Sequence, residues 1–301
     1  MAIVSMKGRI DMHCHVAPSL FQRLYDDFGL ARMAAAQGFG AVVLKDHFEG
    51  TVGRAYHANR EVDGIQVFGG IVLNRYIGGI NPLAVEAALA MGAKVIWMPT
   101  IDSANHARFY GQTFGYKGDI GTPIGVYIET LKHPEKLVRK TGISLLQDGE
   151  LTPETREVIG LVQSYNAVLA SSHISKEELI AVLKYAREIG GVKVIVNHPE
   201  FEVPNYNVQD MKELIQLGAL IEFCASMALR GVSPWTIQQT KEAMLEVGPQ
   251  HCIISGDTGS PYQPAGPEIV RSYIQQLYYA GFPLDALDVM TIDNPRGLLN
   301  L

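Results

Sequence analysis

The sequence is short of the features that mark several large protein classes. It has three cysteines in 301 residues (Cys14, Cys224 and Cys252), scattered and odd in number. A disulfide framework is therefore not expected, and a reducing cytoplasm is. No apolar run approaches the roughly 20 residues that span a bilayer, and the opening MAIVSMKGRIDMHCH has no signal-peptide hydrophobic region, so no membrane partner is expected. Lys and Arg number 25 against 31 Asp and Glu, a net charge of -6, with no basic cluster. Nucleic acid is thus not an expected partner, because phosphate contacts need positive charge. G-x-G-x-x-G, the Walker P-loop, G-x-S-x-G and H-E-x-x-H are all missing, which leaves nucleotide-cofactor chemistry and serine-triad hydrolysis without support.

What is present is apolar and periodic. At 47% hydrophobic residues the chain has material for a large core and too little net charge for disorder. Short Val- and Ile-rich runs fall near 9–13, 40–45, 65–72, 93–98, 166–171, 192–197, 218–223 and 251–255, as expected of parallel strands covered on both faces. Helical stripes lie between them. Ser175 with Glu178 forms a capping box before the stripe Leu179, Val182, Leu183, Ala186. Thr152-Pro153 and Ser233-Pro234 each put a hydroxyl before a first-turn proline, and Asn207 can cap the helix carrying Met211 and Leu214. Eight strands alternating with helices predict an α/β fold, a (β/α)₈ TIM barrel forming one domain over residues 1–301. The surplus length sits at 100–152, rich in Gly, Tyr and Phe, and is expected to be a loop insertion after strand 4 that lies over the barrel mouth as a lid.

The chemistry concentrates at strand ends. Asp11-x-His13-x-His15 closes the first strand, and residues two apart on a strand share a face, so both imidazoles can chelate one cation. His173 closes the fifth strand, His198 the sixth, and Asp257 follows the eighth. For any one of them a hydrogen-bonded His or a capping Asp is the simpler explanation. Together, at one edge of the barrel, they make a metal site with room for water.

These residues resemble the amidohydrolase superfamily of metal-dependent hydrolases, whose pattern is D-x-H-x-H on strand one, His on strands five and six, and Asp on strand eight. The tail Asn294-Pro295-Arg296-Gly297-Leu298-Leu299 is similar to the N-P-x-x-L-L of its phosphotriesterase-like branch. The resemblance implies that His13 and His15 bind one metal, that His173 and His198 bind a second metal or the substrate, and that Asp257 both ligates and acts as general base. The departure lies at strand four. Where the family carries a carboxylated Lys or a Glu, this chain reads AKVIWMPTID, with Lys94 at the strand's start and Asp102 only in the following loop.

Lys45, with His47 on the same face of strand two, and Glu222 at the end of strand seven are the available substitutes, either bridging or orienting a ligand. Arg54, Arg75, His106 and Tyr110, with Tyr76, Arg108 and Tyr116, are candidates to hold substrate, since an Arg at a barrel mouth can clamp a carboxylate or phosphate. Cys14 is expected to face the core.

The expected activity is hydrolysis of an amide, lactone, ester or phosphoester in a small molecule by metal-activated water. Asp257 would be the base, with His198 and Lys45 as further catalytic groups. The ion is most simply Zn²⁺, one or two per chain, with Mn²⁺, Fe²⁺ or Ni²⁺ compatible. Related barrels also support metal-dependent decarboxylation or lyase chemistry. A phosphoesterase of the polymerase-and-histidinol-phosphatase type shares D-x-H-x-H and the strand-two Asp46-His47, but usually ends in D-x-H where this chain has Asp257-Thr258-Gly259. A non-catalytic small-molecule-binding barrel is the remaining alternative. The superfamily resemblance also implies a homo-oligomer.

Overall fold

The computed structural model describes residues 3–114, 131–136, 138–229 and 233–301. Tyr116 and positions 115–130 and 137 of the expected lid lie outside the described residues.

Strands and helices alternate as the periodicity predicts. The strands β1 (Ile10–His15), β2 (Ala41–Lys45) and β3 (Gln66–Phe68) form one parallel sheet in that order. A second parallel sheet begins with β4 (Gly70–Val72) and β5 (Val95–Trp97). It skips a hairpin of β6 (Leu146–Gln147) and β7 (Glu150–Leu151), then continues through β8 (Val168–Ala170), β9 (Lys193–Asn197), β10 (Ala219–Cys224) and β11 (Cys252–Ser255). Helices α1 (Asp27–Ala36), α2 (Val52–Glu61), α3 (Pro82–Ala90), α4 (Ala104–Tyr110), α5 (Pro153–Ser164) and α6 (Lys176–Ile189) intervene, followed by α7 (Val208–Gln216), α8 (Ile237–Val247), α9 (Gly266–Tyr279), α10 (Leu284–Asp288) and α11 (Asn294–Leu299).

The third expected strand is broken in two. β3 pairs with β2 and β4 pairs with β5, and the chain crosses from one sheet to the other at Gly69-Gly70. A Cβ on Gly70 would lie 2.0 Å from the Val95 carbonyl oxygen, and one on Gly69 2.5 Å from that of Thr51. Only glycine passes there. The other ends of the sheets meet where β1 runs beside the residues after β11. Cys14 and Thr258 form a parallel bridge, the His15 amide donates to the Thr258 carbonyl at 2.8 Å, and the Asp257 amide donates to that of His13 at 2.8 Å.

Period-2 alternation sorts the side chains into two layers. Met12, Val43, Trp97, Ala170, Ile195 and Ile253 form an inner apolar cluster between the strands. The opposite faces pack against the helices in a larger cluster that includes Val42, Leu44, Leu169, Val196, Ile221 and Ile254. Continuing the inward register one step along β2, β9, β10 and β11 gives Lys45, Asn197, Glu222 and Ser255, all buried. Polar groups therefore line the C-terminal end of the interior. The opposite end is filled by α11, whose Leu298 and Leu299 join the inner cluster. Lys94 and Lys193, at the beginnings of their strands, donate to the Leu299 and Leu298 carbonyls at 3.0 and 3.1 Å. Lys94 is thus committed to the end remote from the strand-end histidines.

Two expectations about local structure need adjusting. The helix expected from Ser233-Pro234 begins later, at Ile237, because Thr236 and Gln239 form a reciprocal capping box that satisfies two backbone amides at once, whereas Ser233 only accepts from the Trp235 amide. The region 100–152 is also more regular than its composition suggests. Its described residues include α4, capped by Ser103, and the β6–β7 hairpin, whose turn Asp148-Gly149 has φ of 52° and 84° at its two central positions. Among the described residues, no helix is long and apolar enough to cross a membrane.

Candidate metal centre

β1 does not alternate cleanly. Asp11 registers with Val42 but Cys14 with Leu44, so one extra residue bulges out between them. A bulge re-aims side chains. Ile10 and Met12 point into the inner cluster, whereas Cys14 joins the outer one, as expected. His13 and His15 are thereby turned toward the polar end of the interior. Asp11 fixes the bulge, accepting from the amides of His13 (3.0 Å) and Gly256 (2.8 Å). A Cβ on Gly256 would lie 2.6 Å from the Asp11 carboxylate, which is why glycine precedes Asp257.

These constraints bring three donors together. The Asp257 Oδ1 lies 3.0 Å from His13 Nε2 and 3.2 Å from His15 Nε2. Ligand atoms bound to one zinc ion at about 2.0–2.1 Å in a tetrahedron are separated by roughly 3.3 Å. His13, His15 and Asp257 could therefore hold a single divalent cation without rearranging the backbone. The buried Nδ1 of His15 has no hydrogen-bond partner among the described residues, so the ring is held by its Nε2 contact with Asp257 and by stacking on His47, with ring centroids 4.8 Å apart.

Behind His13 stands a buried acid. Glu222 Oε2 is 3.2 Å from His13 Nδ1 and accepts from Asn197 Nδ2 at 2.5 Å. Asn197 also accepts from the Ser172 amide at 2.7 Å, so β8, β9 and β10 are tied together at this end. Burial alone would raise the Glu222 carboxyl, but His13 and these hydrogen bonds hold it down at about 2. Asp257 likewise resists its burial and is kept well below the usual carboxylate range by His13 and His15. Burial would lower His13, yet the two carboxylates outweigh it and hold its pKa up. A His with one nitrogen on a carboxylate and the other turned to the donor set is the arrangement that fixes a metal ligand's tautomer. His13, Glu222 and Cys224 form a second, fully buried cluster, with Cys224 Sγ 3.9 Å from His13 Nδ1.

Lys45 is in the midst of these groups. Its Nζ lies 2.9 Å from His13 Nε2, the nitrogen that also faces Asp257, and 5.4 Å from the Trp97 ring. Burial lowers its pKa, while Asp257 and Glu222 draw it back up. His13 Nε2 therefore has two cationic suitors, the ammonium and any bound metal.

Six of the nine histidines form one continuous series of ring contacts. His198 lies 6.1 Å from His13 and 5.2 Å from His173 between ring centroids, and His173 Nδ1 lies 2.9 Å from His106 Nδ1. His173 and His198 thus flank the three-donor set without joining it. Burial pushes His198 down to about 4, and His15, His47 and His173 well below the usual histidine range. All four are neutral at pH 7, the form that binds metals or accepts hydrogen bonds. Ser172, His198 and Asp257, at the ends of β8, β9 and β11, have φ of 54°, 31° and 50°. Positive φ at non-glycine residues carries strain of about 1–3 kcal/mol each and clusters at functional sites.

The other sequence candidates fall around this centre. His47 Nδ1 is 2.9 Å from Thr100 Oγ1. Asp102 accepts from the Arg75 amide and guanidinium at 2.9 and 3.1 Å, and Arg75 also donates to the Thr141 carbonyl, so both brace the loop after β5. Arg54 is paired with Asp27 and Glu49 at 2.8 and 2.9 Å and donates to the Ala17 and Pro18 carbonyls. Tyr110 donates to Glu202 at 2.6 Å. His106 is fully buried behind His173.

Sequence reasoning passed over Asn197, Glu200 and Arg23. Glu200 is buried and raised to about 8 by desolvation, and it follows His198-Pro199 as the fourth letter of N-H-P-E. Asn197 was detectable too, as an inward strand position directly before a strand-end His. Arg23, a single Arg in the loop after β1, has no sequence signal at all.

Among curated proteins, none matches the chain. Solved structures similar to it include amidohydrolase-superfamily proteins. One is an amidohydrolase from Pseudomonas aeruginosa (12% identity, 98% of this chain and 97% of that one, TM-score 0.62). Another is 2,6-dihydroxybenzoate decarboxylase from Rhizobium (14%, 98% and 99%, TM-score 0.51). A third is an amidohydrolase from Burkholderia multivorans with bound zinc (11%, 98% and 99%, TM-score 0.50). At these identities the likeness is one of fold. The sequence itself matches the family model DUF6282, a family of unknown function, over residues 8–222, a stretch that holds His13, His15, Lys45, His173, His198 and Glu222 but ends before Asp257. The chain belongs to that family.

Proposed function

We propose that this chain is a metal-dependent hydrolase of small molecules, built as a (β/α)₈ barrel with its site at the C-terminal end of the strands. The observation that carries the reading is the convergence of His13 Nε2, His15 Nε2 and Asp257 Oδ1 within 3.0–3.2 Å contacts. A bound divalent cation would acidify water to a pKa of about 7 and polarise the scissile bond. Asp257, held ionised by its histidine neighbours, takes the proton of the attacking water and returns it to the leaving group. Glu222 holds the His13 tautomer. His198, neutral and 6.1 Å from His13 between ring centroids, and His173, neutral and 5.2 Å beyond it from His198, hold the substrate or steady the developing oxyanion. Lys45 serves as an acid–base group beside the centre.

Decarboxylation on the same centre is a second reading, favoured by the fold likeness to the Rhizobium decarboxylase. Product analysis separates the two, since CO₂ release without incorporation of ¹⁸O from water belongs to decarboxylation alone.

The primary test is metal content by elemental mass spectrometry on protein purified without chelator, beside His13→Ala and Asp257→Asn. About one zinc-class ion per wild-type chain is expected, from one convergent donor set, with loss from His13→Ala. A wild-type chain that takes up no zinc, manganese or iron even when supplied would overturn the reading.

A further inference from the structure

The loop that leaves β1 turns back across the strand ends. The Ala17 amide donates to the Tyr25 carbonyl at 2.9 Å, and the Leu24 amide donates to the Gly259 carbonyl at 2.8 Å, two residues beyond Asp257. Arg23 is thereby carried to the rim between the loops that bear His15 and Asp257. Its guanidinium carbon lies 5.4 Å from the Phe21 ring centroid, within cation–π range. The Phe21 ring is 5.4 Å edge-on from His47, which stacks on His15. Phe21 also packs with Phe48, Phe114 and Ile101, and Phe48 meets Tyr76 at 4.8 Å. One side of the centre is therefore a bank of aromatic rings with a guanidinium laid against it.

A guanidinium at this rim favours an anionic ligand over a neutral one. A planar carboxylate matches the fork of a guanidinium, and an aromatic or flat body matches the rings.

We propose that Arg23 and the Phe21–Phe48 aromatic bank form the substrate-recognition wall of this site, and that the substrate class is a small aromatic or planar carboxylate. This deepens the metal-centre reading and rests on it for the location of the reacting bond, but not for the carboxylate contact itself.

The test uses benzoate and its neutral counterpart benzamide as probes, with binding to the zinc-loaded full chain measured by calorimetry and zinc content measured on each sample. Wild type is expected to bind benzoate at least about tenfold more tightly than benzamide, a difference of about 1.4 kcal/mol. Arg23→Gln should lose that preference while its benzamide binding and metal content stay unchanged, and Arg23→Lys should keep part of it. Equal binding of benzoate by wild type and a folded, zinc-loaded Arg23→Gln overturns the proposal, as does a wild type that binds neither probe. Arg23-dependent benzoate binding by a chain that takes up no metal would sustain this inference and sink the metal-dependent reading. The two failures are thus distinguishable.

Discussion

At the scale of single residues, the centre is a contest for one nitrogen. His13 Nε2 faces both Asp257 at 3.0 Å and the Lys45 ammonium at 2.9 Å, and a metal bound there would sit against a like charge. Lys45→Met removes that charge, and with it the ammonium near the Trp97 ring, while keeping an unbranched apolar side chain. Metal affinity is expected to rise by about tenfold or more, read by competition with a chromophoric chelator, while turnover falls. Weaker metal binding in Lys45→Met would instead make the lysine a ligand-bearing group. Glu222→Gln acts in the opposite sense: the carboxylate on His13 Nδ1 is lost, and metal affinity should fall roughly 10–100-fold with little change in fold. An unchanged affinity would reduce Glu222 to packing. His13, His15, His173, His198 and Asp257 were legible in sequence because parallel strands deliver their last residues to one edge. The bulge in β1 was not, since nothing in I-D-M-H-C-H marks an extra residue; strict alternation and the bulge predict the same histidine pairing and differ in where the residues before His13 point, Ile10 and Met12 among them. Arg23 was invisible because its importance comes from where a loop is tied, at Leu24 to Gly259.

At the scale of elements, the eight apolar runs correspond to strands because most are buried on both faces and rich in Val and Ile. The exception is instructive. The run 65–72 was a single strand by composition, but two adjacent glycines let it serve two sheets, and a close backbone approach of this kind has no hydrophobic signature. Helix starts were legible where a capping box is reciprocal, as at Ser175–Glu178 and, in hindsight, at Thr236–Gln239, and misleading where a lone Ser precedes Pro. Glu178 does more than cap. While one carboxylate oxygen accepts from the Ser175 amide at 2.8 Å, the other accepts from the Leu145 amide at 2.9 Å and the Ser144 hydroxyl at 3.0 Å, anchoring the far end of the 100–152 excursion to α6. Ser175→Ala should cost about 1 kcal/mol. Glu178→Ala leaves the buried Leu145 amide without its acceptor and should cost more, about 2–3 kcal/mol. Midpoints of urea unfolding for the two variants check the order; equal losses would mean that Glu178 is only a cap.

At the scale of the whole molecule, one interior serves two ends. Its inner apolar layer carries the polar site on one side and rests on Leu298 and Leu299 on the other, with the Leu299 carbonyl held by Lys94 and that of Leu298 by Lys193. The N-P-x-x-L-L tail, which in the sequence marked a family resemblance, is in physical terms a plug: Asn294 donates to the Cys252 carbonyl at 2.7 Å at the start of β11, and the two leucines fill the space between strand beginnings. Residues at the strand beginnings should govern stability and those at the strand ends should govern function. Leu299, fully buried, is the sharpest probe. Leu299→Ala should lower unfolding free energy by about 2–5 kcal/mol through the cavity it leaves, yet leave metal affinity within twofold of wild type, because the layer of Val43, Trp97 and Ile195 separates it from His13. Glu222→Gln should do the reverse, loosening the metal with a smaller loss of unfolding free energy. The pair is measured by urea midpoint and chelator competition on the same samples. If Leu299→Ala weakens the metal as much as Glu222→Gln does, the two ends are mechanically coupled, and the division of this interior into a supporting end and a reacting end is wrong.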